Sequence, residues 1–337
     1  MTAEAVVRRN LRLTQELLAV QGQLETAGIF AVPFKGPMLA VQLYGNLALR
    51  QYHDLDFLIR PGDIGRAAEV LIARGYRPPA LLTTPCGARL LETQRHYRFT
   101  RDDGVIVEVH WDLAPSHFPF PIDPDRVRSR VEFLPLGGRL VPTFARDDLL
   151  LLLCAHGAKH GWVRLSWIRD VAQLVRLETN SDWTAIVADA HRRGALRTLL
   201  LALLLAAELC DAPVPQAVIR RARSDATVCS LAGEVRARLA ANPPREPAGW
   251  ELRRFQFRVR DRWRDRLRML GVLMFIPGPG DWELVRLPER LYPLYYVLRP
   301  LRLLVKYLVR PVAKYATRVM SRSRGQLQVS GRSVQEG

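Results

Sequence analysis

Asp54 and Asp56 stand in the segment QYHDLDFLI, Gln51 to Ile59, whose residues alternate as those of a strand do. Residues two apart on a strand point to one face, so the two carboxylates project together while Leu55 and Phe57 turn to the core. Like charges this close repel unless a cation lies between them. Oxygen ligands on a rigid element suit Mg²⁺ or Mn²⁺ held jointly with substrate phosphates. In VIVEVHW, Val105, Val107 and Val109 share one face and Ile106, Glu108 and His110 the other, which puts a third carboxylate on a neighbouring strand. Three carboxylates with positions open to water and a triphosphate are the donor set of two-metal phosphoryl or nucleotidyl transfer. One ion lowers the pKa of the attacking hydroxyl and the other neutralises the leaving pyrophosphate. An Asp-x-Asp pair alone is weak evidence, usually a solvated surface feature, but this one follows a strand, a glycine turn and a helix. Glu108 read alone is a rim residue paired with an arginine, and its flanking valines favour a buried position instead.

Lys35 and Gly36 close an apolar run and open a helix, where backbone N–H groups, the helix dipole and the lysine charge make a cradle for phosphate. A lysine before a glycine is otherwise merely solvated. Arg50, four residues before Asp54, reaches the same phosphates or balances the carboxylates. His156 and His160 stand i, i+4 on one helix with Lys159 beside them. As a zinc pair they lack a third ligand nearby, and HGAKH has no glutamate where a metalloprotease motif needs one. The preferred reading has Lys159 reaching the triphosphate or base and Asp170 orienting Lys159 or a histidine, with interdomain packing as the competing one. Trp162 and Trp167 read as core.

The elements that position these residues are legible in outline. Val7, Leu11, Leu18 and Leu24 recur with rough helical spacing up to Gly28, predicting a first helix over 3–27. Ile29 to Gly36 reads as a short strand and PMLAVQLYG as the next helix. After Asp54 to Ile59 and the turn at Arg60 to Asp63 comes a helix stopped by Gly75. HYRFT and VIVEVHWDL flank an Asp-Gly turn and predict an antiparallel hairpin. Residues 114–143, rich in proline and glycine, read as a connection with one short strand near Val131 to Leu134. Helical patterns fill 144–250, and basic residues interleave with aromatic and aliphatic ones over 251–320. Domains are therefore expected at 1–143, 144–250 and 251–320, followed by a disordered tail over 321–337.

A chain of 337 residues with 48% hydrophobic and 25% charged residues can bury real cores. The formal charge of +17 is concentrated: residues 251–337 hold 19 Lys and Arg against 7 Asp and Glu, or +12. Such a segment favours phosphate, nucleic acid or anionic lipid, or is a solvated tail. The span 284–320 reads equally as an amphipathic helix on a membrane surface and as a helix packed on its own domain. Cys86, Cys154, Cys210 and Cys229 form no CxxC pair, and the longest apolar run, Leu199 to Ala207, is too short to cross a membrane. The expected setting is the cytoplasm, with peripheral attachment at the inner membrane as the variant.

Phe34-Lys35-Gly36, Tyr44-Gly45, Arg50, the run Asp54 to Ile59, Gly75-Tyr76, Val107 to Trp111, His156, Lys159-His160, Trp167 and Asp170, taken in order, resemble the bacterial uncharacterised nucleotidyltransferase family, of the polymerase β-like superfamily. The resemblance implies an α+β fold: a small mixed β-sheet core with flanking helices, followed by an all-α domain. It implies Asp54, Asp56 and Glu108 as catalytic metal holders, with Mg²⁺ or Mn²⁺ and a nucleoside triphosphate such as ATP. Lys35, Gly36, Arg50, His110, Lys159 and Asp170 are the expected nucleotide-binding residues. Lys35-Gly36 stands where the superfamily's turn has glycine-serine. The acceptors that the resemblance implies are a peptide natural product, a sugar or tRNA. Two rival readings are a non-catalytic nucleotide sensor docked on a membrane and a metal-dependent phosphohydrolase built on His156 and His160.

Overall fold

The computed structural model describes residues 3–83, 89, 95–114, 118, 123–178, 181–242 and 245–305. The tail expected to be disordered, 321–337, and the part of the basic region beyond Val305 lie outside the described residues.

The N-terminal half is built on a four-stranded mixed sheet of β1 (Val32–Pro33), β2 (Asp54–Leu58), β3 (His96–Thr100) and β4 (Ile106–His110), ordered β1-β2-β4-β3. β2 and β4 run parallel, with Asp56 opposite Glu108, and the expected hairpin pairs β3 with β4, His96 opposite His110. Period-2 alternation gives the sheet two unlike faces. Leu55, Phe57, Val107, Val109, Tyr97 and Phe99 form the buried face under helices α1 (Ala3–Thr26) and α3 (Ile64–Ala73). Asp54, Asp56, Glu108, His110 and His96 stand on the other.

The buried stripe of α1 is Val6, Leu13, Leu17, Val20 and Leu24, whereas Val7 and Leu11 of the expected stripe are exposed. The rotation follows a polar anchor. The Asn10 amide, fully buried, donates to Leu47 O at 2.7 Å and Arg50 O at 2.9 Å, tying α1 to the loop that precedes β2. Helix α2 (Gly36–Tyr44) crosses from the sheet to the helical half. Beyond a short helix α4 (Pro124–Ser129), the single strand expected near Val131 proves to be a hairpin, β5 (Glu132–Leu136) with β6 (Arg139–Thr143). Pro135 and Pro142 obscure its alternation, since proline weakens a strand reading.

The second half is helical as expected. Helix Leu196–Cys210 is buried along Leu199 to Ala206 and is surrounded by α5 (Arg146–Lys159), α6 (Leu165–Leu177) and helices Trp183–Arg193, Gln216–Ser224 and Ala226–Ala240. Its core takes in Val32, Phe34, Leu39, Leu43 and Leu58 from the sheet half, so the two halves share one apolar core. Helices Gly249–Arg258, Trp263–Phe275, Pro279–Leu284 and Tyr295–Leu304 complete the described chain.

Candidate active site

The parallel register of β2 and β4 brings Asp56, Glu108 and His110 together. Each offers one ligand atom, and the three atoms lie within 4.8 Å of one another. Asp56 is 1% exposed. Its Oδ1 accepts from Lys35 Nζ at 2.8 Å and lies 3.0 Å from His110 Nε2, which is 3.5 Å from Glu108 Oε2. Asp56 Oδ2 is buried with no hydrogen-bond partner among the described residues. Asp54 shares the face but is opposite Ile106, and its carboxylate is not one of the three. His110, expected among the nucleotide contacts, lies in the acidic group, stacked on His96 with ring centroids 4.9 Å apart.

Burial and charge split these carboxylates. Burial works to raise Asp56, but the Lys35 ammonium and His110 hold it well below the usual carboxylate range. Glu108 is likewise lowered against its burial, by the hydrogen bond from His110. Asp54, short of such partners, is pushed up to about 6 by burial and by the charge of Asp56. Lys35 is raised in spite of burial because Asp56 and Asp54 face it.

Gly36 sets the distance between this cluster and α2. Its φ is +52° and a Cβ there would stand 3.1 Å from Asp54 O, so only glycine lets the helix start against the strand. Lys35 immediately precedes it, which is why the lysine reaches Asp56.

A cleft of about 700 Å³ opens above the cluster, lined by Lys35, Gly36, Arg50, Asp54, Glu108, His110 and Lys159 among the expected residues. Its helical wall carries His156, His160 and Trp167, whose rings lie 4.8 to 5.4 Å apart. Burial, with Lys35 nearby, lowers Lys159 to about 8; burial and the Lys159 charge lower His160 to about 3, and burial holds His156 well below its ordinary value. The wall therefore presents neutral imidazoles around a readily deprotonated lysine. Trp162 is core as expected, whereas Trp167 is only half-buried and lines the cleft.

Asp170 orients neither Lys159 nor a histidine. It accepts from Arg50 Nε at 3.0 Å and from the Tyr44 hydroxyl at 2.9 Å, because α6 packs on α2 and turns Asp170 toward that helix's last turn. It thus positions Arg50 from behind the cleft. Sequence reasoning missed His96, His53 and Arg164, which also line the cleft. His96 was accessible in principle, since counting back from the Asp-Gly turn puts it opposite His110.

The fold and site define an α+β protein whose mixed sheet lifts a carboxylate and imidazole group, suited to a metal ion, into a basic cleft. The chain belongs to the uncharacterised nucleotidyltransferase family, whose model matches residues 2–211. Among solved structures, it is similar to the lincosamide antibiotic adenylyltransferase LnuA in its lincomycin-bound form, at 12% identity and a TM-score of 0.34, over 48% of this chain and 94% of that one. It is also similar to an antigenic nucleotidyltransferase-like protein from Paracoccidioides brasiliensis, at 15% identity and a TM-score of 0.33, over 56% of this chain and 92% of that one. No curated protein matches the chain in sequence.

Proposed function

We propose that the protein is a metal-dependent nucleotidyltransferase that moves a nucleoside monophosphate from a nucleoside triphosphate to an acceptor hydroxyl or phosphate, with pyrophosphate leaving. The observation that carries this reading is the convergence of Asp56, Glu108 and His110 within 4.8 Å on the face that also bears Asp54, beneath a cleft lined by Lys35, Arg50 and Lys159. These residues fit a divalent cation. Asp56 Oδ2 is a buried oxygen without a partner among the described residues, costly unless a cation or donor meets it, and the carboxylate oxygens of Asp56 and Glu108 suit Mg²⁺ or Mn²⁺.

Asp54, Asp56 and Glu108 would hold the metal, with His110 beside them. Mg²⁺ or Mn²⁺ bound there would neutralise charge developing on the leaving pyrophosphate and acidify the acceptor hydroxyl. Arg50, fixed by Asp170, to which the Tyr44 hydroxyl also donates, offers a planar fork to phosphate oxygens, and Lys35 and Lys159 offer point charges. Lys35 has Asp56 as its partner until a phosphate competes for it. Trp167, His156 and His160 provide ring faces against which a base can lie. The setting is cytoplasmic, where nucleoside triphosphates and Mg²⁺ are supplied.

Purified protein incubated with each α-labelled nucleoside triphosphate, Mg²⁺ or Mn²⁺, and total tRNA, peptide or sugar extracts tests the reading. Label transferred by the wild type and by neither Asp54→Ala nor Glu108→Ala is the expected result, and it names the acceptor class. Tight metal-dependent nucleotide binding without transfer favours the non-catalytic sensor, and no nucleotide binding defeats both.

A further inference from the structure

An amphipathic helix on a water-exposed domain turns its apolar stripe inward and its charges to solvent. Helix Tyr295–Leu304 buries Tyr295, with Leu298 packed against it, yet it also turns arginines inward and leaves an apolar stripe outside. Arg299 Nη1 donates to Asp281 Oδ2 at 2.6 Å, Arg302 Nε lies 2.9 Å from Asp281 Oδ1, and Arg302 Nη1 donates to Gly280 O at 2.6 Å. Asp281 is 3% exposed, so these arginines point into the protein. The opposite side of the helix carries Val297, Leu301 and Leu304, i, i+4 and i+7, which are 52 to 60% exposed. The neighbouring helix Trp263–Phe275 buries Met269 and carries a second exposed apolar stripe, Trp263, Leu267, Leu270 and Met274, at i, i+4, i+7 and i+11. The two helices pack on each other and are tied by Arg299 Nε donating to Leu273 O at 2.9 Å. Isolated exposed leucines are ordinary, but two full stripes on adjoining helices mark a surface that something covers.

Charge says what covers it. Arg264 and Arg268, both exposed, flank the stripe of Trp263–Phe275, and Asp265 falls on the far side of the helical wheel. Between the helices Arg286, in a loop, and Arg290, in the 3₁₀ turn Glu289–Leu294, are exposed beside Glu283 and Glu289, and residues 251–305 as a whole hold 12 Arg against 6 Asp and Glu. A second copy would bring the same arginines face to face. An anionic phospholipid surface meets both features, taking the apolar stripes and the indole into the acyl boundary and the rim arginines among phosphates. Among the described residues no helix is long and apolar enough to cross a membrane. We infer that Trp263–Phe275 and Tyr295–Leu304 together form a docking face by which the protein lies on an anionic phospholipid bilayer without spanning it. The inference does not depend on the proposed reaction.

Co-sedimentation of the full chain with phosphatidylcholine vesicles, plain or containing phosphatidylglycerol, tests it. Binding to the phosphatidylglycerol vesicles alone, weakening as salt rises, is expected. Leu267→Glu with Leu301→Glu, both at exposed sites, should lower the partition coefficient at least about tenfold while leaving the thermal melt and nucleotide binding unchanged. Arg264→Glu with Arg268→Glu gives a second variant pair that should weaken the same binding without touching the apolar stripes. Tryptophan emission should shift to the blue on anionic vesicles, and Trp263→Phe should remove most of the shift. Absent pelleting, or equal binding to phosphatidylcholine alone, overturns the inference. So does a dimer in light scattering that the leucine substitutions dissociate, which would assign the face to a second copy.

Discussion

At the scale of the residue, Asp54 and Asp56 are two carboxylates with opposite consequences for stability. Asp56 neutralises the nearly buried Lys35, so Asp56→Ala, which strands that ammonium, should cost about 3 kcal/mol in a denaturant melt run in chelator. Asp54 is raised by burial and by Asp56, so its ionised form is disfavoured in the folded protein, and Asp54→Asn should not lower stability under the same conditions. Both substitutions should reduce nucleotidyl transfer by about a thousandfold, the scale of losing one preorganised group that stabilises developing charge. Lys159 is lowered to about 8 by burial and by Lys35. It carries its charge below that pH and loses it above, so nucleoside triphosphate affinity should fall as pH rises through about 8. Lys159→Arg should hold the affinity to higher pH, which isothermal titration across the range would reveal.

Two elements hold the chemistry in place, and each has its own weak point. The turn after α5 is set by Trp162, a fully buried residue with a φ of +56° whose ring lies on Gly157. A Cβ on Gly157 would stand 2.4 Å from that ring. Gly157→Ala should therefore cost about 2 kcal/mol through overpacking and weaken nucleotide binding as well, because His156 and Lys159 flank the displaced turn. On the far side of the sheet, Glu16 of α1 accepts from Arg74 Nε at 2.6 Å, Arg101 Nη1 at 2.8 Å and the Tyr76 hydroxyl at 2.9 Å, pinning α1 to the end of α3 and to the hairpin. Burial opposes its ionisation, yet these three partners lower it from 4.5 to about 2. A depressed carboxylate stabilises the fold fully above its unfolded pKa and loses that contribution as pH falls through the folded one. Acid unfolding of the wild type should steepen between about 4.5 and 2, and Glu16→Gln should flatten that dependence.

On the scale of the whole molecule, the core of the helical half reaches into the sheet half, while the other face of the sheet keeps its own core with α1 and α3. Phe34 stacks on Phe144 with centroids 5.2 Å apart, and Leu39 and Leu43 lie in the core of the helices. A chain ended after Thr143 should expose this surface, bind a hydrophobic dye and fail to show a cooperative melt, whereas the full chain should unfold cooperatively. The same arrangement divides the cleft, with carboxylates and Lys35 on one wall and Lys159, His156 and Trp167 on the other. Nucleotide binding should thus raise the melting temperature of both halves together.

The sequence by itself determined the sheet's two faces, because a period of two leaves no freedom once Leu55, Phe57, Val107 and Val109 must be buried. Asp54, Asp56, Glu108 and His110 follow from that choice, as does the hairpin from Asp103-Gly104. It also determined the helical second half through sustained apolar periodicity. Tertiary structure alone decided which strands are neighbours, hence that Asp56 rather than Asp54 faces Glu108, with His110 completing the group. It decided the rotation of α1, where a buried asparagine joins the apolar stripe and ties it to the loop before β2, and the partner of Asp170, which depends on α6 packing against α2. It decided too that Arg299 and Arg302 turn inward onto Asp281. Such outcomes rest on contacts between residues far apart in the chain, and local spacing carries no information about which distant surface an element will meet.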